Sequence, residues 1–124
     1  VNVSGVLGLL PVPGMSVYAA TKGFILSFSQ ALWHEQKERG VYVMALSPGP
    51  IATDFKSRSG GAADKGPPAA ITQTADQVVD RAMQQLAKRK RPVVMAAARR
   101  ARLLFSLFKW MPRNWVLGIM AKFH

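Results

Sequence analysis

Residues 14–22 read GMSVYAATK, which puts a tyrosine four positions ahead of a lysine behind a loop rich in proline and glycine. If a helix starts here, Tyr18 and Lys22 rise from one face of it, one turn apart. An isolated phenol titrates near ~10 and stays protonated at neutral pH, but a positive charge held nearby favours its ionised form and eases proton exchange. A general acid/base is built from tyrosine in this way. The same spacing also describes a solvated i,i+4 pair, so the neighbouring elements must decide between the two.

Those elements follow one another in a recognisable order. Val1–Ser4 is a strand-like run, and GVLGLLPVPG after it is a loop punctuated by Gly5, Gly8, Pro11, Pro13 and Gly14. From Ser16 to Arg39 the residues Phe24, Phe28, Ala31 and Leu32, with the small Ala19, Ala20 and Gly23, recur at helical spacing; Gly40 is the stop. VYVMAL at 41–46 predicts a strand buried on both faces, running into the irregular turn SPGPIATDF. Residues 57–72 lack periodicity and read as a loop. Thr74 to Gln77 fits a capping box, and Ala75, Val78, Val79, Ala82, Met83 and Leu86 form the apolar stripe of a helix to about Arg89. Pro92–Met95 is a last short strand. Strand, helix, strand, helix, strand implies parallel crossovers with helices over the sheet.

Composition limits what else the chain can be. The 124 residues, 49% hydrophobic, suit a single small core. With no cysteine there are neither disulfides nor thiolate metal sites, and His34 and His124 are far apart in sequence, so no metal is expected. The net charge of +11 is unevenly placed: residues 1–81 hold seven Lys/Arg against six Asp/Glu, residues 82–124 ten against none. No apolar run approaches the ~18–20 residues a membrane span requires. Residues 97–123 mix Leu, Phe and Trp with Arg and Lys, and Pro112 divides them into two short amphipathic helices suited to an anionic membrane surface or to a cover over a pocket. Aromatics interleaved with Leu and Met argue against nucleic acid as partner. Two segments are expected, 1–96 and a basic helical tail at 97–124.

NVS at a strand end, YAATK opening a long helix and a buried strand running into PGPIATDF together resemble the C-terminal half of the short-chain dehydrogenase/reductases, with their strand-end NVSS, YxxxK helix and PGxxxT turn. PVPGMSVYAATKGFILSFSQAL is similar to the branch that reduces ketones, including long-chain 3-ketoacyl groups. The resemblance implies an α/β fold, the C-terminal half of a doubly wound Rossmann-type parallel sheet with helices on both faces, binding NAD or NADP at the strand carboxyl ends, NADP slightly preferred. It implies Tyr18 as proton donor to a carbonyl and Lys22 on the nicotinamide ribose. It also implies a Pro48–Gly49 turn that lets the backbone approach the nicotinamide, with Ile51 main chain and Thr53 hydroxyl facing the carboxamide. The substrate is then a hydroxyl or keto compound, apolar judging from Leu9, Leu10, Val12 and Met15, with a lipid compatible; the parent protein is a homo-oligomer, cytoplasmic or peripheral on a membrane.

Two departures qualify these expectations. The family's serine, thirteen residues before the tyrosine, falls on Gly5, so Ser4 becomes the substitute candidate and a catalytically inactive scaffold or membrane-surface protein the alternative. These residues also contain no Gly-rich phosphate-binding turn, which predicts a fragment lacking the dinucleotide-binding half.

Overall fold

The computed structural model describes residues 1–51 and 69–122. Three strands, β1 (Asn2–Val3), β2 (Ala45–Pro48) and β3 (Val93–Ala96), form one parallel sheet in the order β1-β2-β3. The register pairs Asn2 with Ala45 and carries Ala45 to Pro48 along Val93 to Ala96. The crossovers contain α1 (Ser16–Gln36) and α2 (Ala75–Lys88), and the chain closes with α3 (Arg99–Phe108) and α4 (Arg113–Lys122). The fold is α/β as expected, with the helices supplying the layers that cover a parallel sheet.

Local chemistry sets the helix ends. Thr74 Oγ1 accepts the Gln77 N–H at 3.3 Å while Gln77 Oε1 accepts the Thr74 N–H at 3.0 Å, the reciprocal capping box read from the sequence. At the far end of α1 a single 3₁₀ turn, Lys37–Arg39, leads to Gly40 at φ 72°, a left-handed position that favours glycine. Pro112 separates α3 from α4, its carbonyl accepting the N–H groups of Trp115 and Val116.

Parallel pairing sorts side chains by alternation. Met44, Leu46, Val94 and Ala96 pack with Val78 and Ala82 of α2. Val79 and Met83, expected in the same stripe, are exposed, because each stands one residue, about 100° round the helix, beyond the buried Val78 and Ala82. Asn2 and Ser4, two residues apart, both reach α1 instead.

The second strand sits later than expected. Residues 43–47 are buried as the apolar run implies, yet pairing spans Ala45–Pro48, not 41–46. An apolar run reports burial, whereas the ladder starts only where β1 offers a partner, at the Asn2 N–H to Met44 carbonyl bond of 2.8 Å.

α1 also departs from expectation. Its buried positions are Ala19, Leu26 and Ser29, while Phe24 and Phe28 are 68% and 50% exposed and stack on each other with centroids 5.8 Å apart. Small residues face inward because the chain itself lies close against them. The 3₁₀ turn Val6–Leu9 rests directly on α1: a Cβ on Gly8 would lie 2.7 Å from the Lys22 carbonyl carbon and 2.8 Å from Gly23 N, and one on Gly23 would lie 3.1 Å from the Gly8 carbonyl oxygen. Gly8→Ala should therefore destabilise the fold by about 1–3 kcal/mol, the range for overpacking a site that cannot give, read as a lower urea midpoint.

Candidate active site

The site begins with the way β1 holds α1. Asn2 Nδ2 donates to Ser29 Oγ at 3.0 Å, and Ser4 Oγ donates to the Lys22 carbonyl at 2.7 Å. The two anchor points are two helical turns apart, matching the two-residue step along the strand. Ser29 is fully buried and Ser4 is 3% exposed. The Ser4 N–H bonds the Leu46 carbonyl at 2.7 Å, so the carboxyl end of β1 lies level with the closing residues of β2. Lys22, clamped to Ser4, is thereby fixed at the carboxyl edge of the sheet.

Tyr18 and Lys22 occupy that edge together. The Lys22 Nζ lies 5.6 Å from the centroid of the Tyr18 ring, within the range where a cation is attracted to an aromatic face. Tyr18 is 42% exposed and Lys22 half-buried, so the phenol can meet a ligand while the ammonium is steadied by its surroundings.

The candidates Ser4 and Gly5 prove to have different duties. Ser4 is spent on the Lys22 carbonyl and is not delivered to the phenol. Gly5 is the position that faces it: a Cβ there would lie 3.6 Å from Tyr18 Oη and 3.9 Å from Lys22 Cγ, with backbone at φ −174°, ordinary extended geometry. With no side chain at Gly5, the phenolic oxygen lacks a neighbour on that side. A nicotinamide nucleotide fits this arrangement in its chemistry, since the Lys22 ammonium offers donors suited to ribose hydroxyls one turn from the proton donor.

The turn after β2 is built differently from expectation. A Cβ on Gly49 would lie 2.9 Å from Ala97 Cβ, and the Gly49 N–H bonds the Ala96 carbonyl at 3.0 Å. The glycine is required by its neighbour on the chain following β3, and its donor is already engaged. Ile51 pairs with Gln73 in an isolated parallel bridge, with the Gln73 N–H on the Pro50 carbonyl at 2.9 Å, and Ile51 packs half-buried against the α2-side core. Pro48 closes β2 opposite Ala96. Thr53 lies outside the described residues.

Ala19 and Gly23 have small side chains where another part of the molecule lies close against α1. The neighbour is this chain's own loop and tail: Ala19 packs with Leu10, Val12, Phe108 and Val116, and Gly23 meets Gly8. Alongside runs a cleft of about 450 Å³, walled by residues 8–13 and by α1, with Arg113 and Leu117 of α4 on its far side. The tail thus covers the Ser16, Ala19, Ala20 and Gly23 face of α1, and neither Tyr18 nor Lys22 lines this cleft. The Asn2–Ser29 bond, Gly8 and Ala97 escaped the sequence reading; the period-two placement of Asn2 and Ser4 was the available signal for the first.

A family model described as short chain dehydrogenase matches residues 1–63. Human very-long-chain 3-oxoacyl-CoA reductase is 36% identical over 78 residues, covering 63% of this chain and 25% of that protein, and the mouse protein of the same name is 44% identical over 52 residues, 42% of this chain and 17% of that one. Among solved structures, a short-chain dehydrogenase from Sphingobium yanoikuyae in complex with NADPH superposes with a TM-score of 0.65 at 33% identity, covering 76% of this chain and 35% of the other. The parallel sheet, the tyrosine–lysine helix and these matches agree: the chain belongs to the short-chain dehydrogenase family. It spans a quarter or less of the length of the curated relatives just named.

The clamp makes a separable prediction. Ser4→Ala should cost about 1 kcal/mol of stability, the net worth of one internal hydrogen bond, visible as a lower thermal midpoint. Its effect on any turnover should track the loss of fold and not exceed it, which a rate measured well below the midpoint checks.

Proposed function

We propose that this chain carries the acid/base part of an NAD(P)-dependent oxidoreductase that interconverts a hydroxyl and a keto group on an apolar substrate. The observation that supports it best is the Tyr18 phenol facing Gly5, with the Lys22 ammonium one turn away at the carboxyl ends of the strands. In the reducing direction Tyr18 donates its phenolic proton to the carbonyl oxygen, and in the reverse direction it removes the proton of the alcohol. Lys22 holds the ribose of the cofactor and keeps a positive charge beside the phenol as that proton moves. The bound nicotinamide supplies or accepts the hydride. Pro48 and Gly49 shape the neighbouring turn, and the Ile51 main chain contacts the carboxamide.

NADP is favoured over NAD by the similarity to the NADPH-bound Sphingobium enzyme. An apolar, acyl-like substrate is favoured by the apolar Leu9, Leu10 and Val12 of the loop ahead of Tyr18 and by the names of the mammalian relatives. Exposed, stacked Phe24 and Phe28 favour a second copy packing on α1 in the parent protein. Exposed Leu103, Leu107, Trp110 and Trp115, among arginines and lysines, favour a cytoplasmic protein that touches an anionic membrane surface through residues 97–124. No helix of the described residues is long and apolar enough to cross a membrane.

Gly5 supports a second reading. Without a hydroxyl there, one donor to the developing oxyanion is missing, which lowers rates by about two decades or more, and a scaffold that retains the fold without turnover becomes the competing function.

Oxidation of NADPH by the full-length parent protein in the presence of an apolar ketone separates the two. Tyr18→Phe should lower turnover at least ~100-fold, and Gly5→Ser, whose Cβ would make ordinary contact with Tyr18 Oη and Lys22 Cγ, should raise it by about the same factor. Unchanged turnover in Tyr18→Phe would overturn the enzymatic reading, and no turnover even with Gly5→Ser would select the scaffold.

A further inference from the structure

β3 is the last strand of the described sheet, and its outer edge opens into a second cleft of about 560 Å³, far in composition from the one beside α1. Arg81 projects into it from α2, Arg91 from the approach to β3, and Arg99 and Arg102 from α3. None of its lining residues among the described ones is acidic. Four guanidinium groups around one space repel one another, and proteins ordinarily place carboxylates among them.

Arg91 and Arg99 are exposed, but two features set Arg81 and Arg102 apart from a simply solvated surface. The Nε atoms of Arg81 and Arg102 are each buried and have no hydrogen-bond partner, a costly state for a charged donor. Arg102 is also held below the usual arginine range, first by desolvation and then by the neighbouring charges of Arg81 and Arg99, which brings the three within mutual influence.

The main chain contributes as well. The carbonyls of Pro92 and Ala96 accept from β2, at the Ala45 and Gly49 N–H groups, so alternation turns both the N–H and the C=O groups of Val93 and Met95 to the outer side, where both residues line the cleft. Tyr42 donates from its hydroxyl to the Arg91 carbonyl and pins that end of the cleft.

We propose that this cleft is a binding site for a phosphate-bearing ligand, held by the forked guanidinium groups of Arg81, Arg99 and Arg102 with Arg91 at its rim. Planar guanidinium forks match phosphate oxygens two at a time, and a dianion or polyanion would occupy the donors now left unpaired and remove the repulsion among them. None of the lining residues is Tyr18 or Lys22, so the site is separate from the acid/base pair. The phosphate could be carried by a soluble molecule or by a lipid headgroup; the chemistry is shared, and the exposed Leu103 on the rim is compatible with either.

The test uses the whole chain with inorganic pyrophosphate and, separately, vesicles of phosphatidylcholine with and without phosphatidic acid. Saturable one-to-one binding of pyrophosphate by calorimetry is expected for a soluble ligand. Binding restricted to the vesicles that contain phosphatidic acid is expected for a headgroup. In either case Arg102→Gln should weaken binding roughly ten- to hundredfold, and Arg102→Lys, which keeps the charge and loses the fork, should fall between. Arg39→Gln removes one exposed positive charge outside both the cleft and residues 97–124 and should leave the affinity unchanged. Pyrophosphate should also raise the thermal midpoint of the wild type more than that of Arg102→Gln, whose fold is eased by losing a repelling charge. No binding to either probe, or equal weakening by Arg102→Gln and Arg39→Gln, would overturn the proposal, the second result marking general attraction to a basic protein.

Discussion

The double hold of a two-residue strand on a long helix is the constraint from which the site follows. Asn2 and Ser4 project from one face of β1 and take hold of Ser29 and the Lys22 carbonyl of α1. A strand this short has little ladder energy of its own, and the buried polar contacts fix its register as well as the helix position. Because the upper contact is made to the backbone of Lys22, the residue that carries the ammonium cannot slide relative to the sheet edge. Tyr18, one turn earlier on the same rigid helix, inherits that placement.

Much of this was legible beforehand because several independent signals coincided. Tyr18 and Lys22, the NVS strand end and the PGPIATDF turn formed an ordered set, and the parallel α/β sheet follows from the alternation of strands and helices. Thr74 with Gln77, and the break at Pro112, announced helix boundaries through local hydrogen-bonding chemistry that needs no tertiary context. What stayed hidden was set by neighbours distant in sequence. The apolar run ending at Leu46 could report burial but not where β1 begins to pair. Phe24 and Phe28 have the period of a core face, yet α1 turns its small residues inward because the Val6–Leu9 turn needs the room.

The glycines show the same limit more sharply. Gly49 reads as a concession to a bound cofactor, whereas in the fold its hydrogen faces Ala97, a residue almost fifty positions later. Gly5 reads as a loss, and spatially it is one: the position points at the phenol, and the adjacent Ser4 is committed to holding the helix. Neighbouring residues in an extended segment need not be interchangeable, since one step along the chain changes what each can reach.

The meeting of Gly8 with Gly23 has a consequence for how this part of the molecule can change. Each residue is hemmed in by the other's main chain, so neither has room to acquire even a methyl group while its counterpart stays fixed, and a shift that made space for one would move the backbone on which Lys22 is carried. The two positions are therefore expected to behave epistatically: variation at either is tolerated only with a compensating rearrangement that the proton-transfer geometry must also survive.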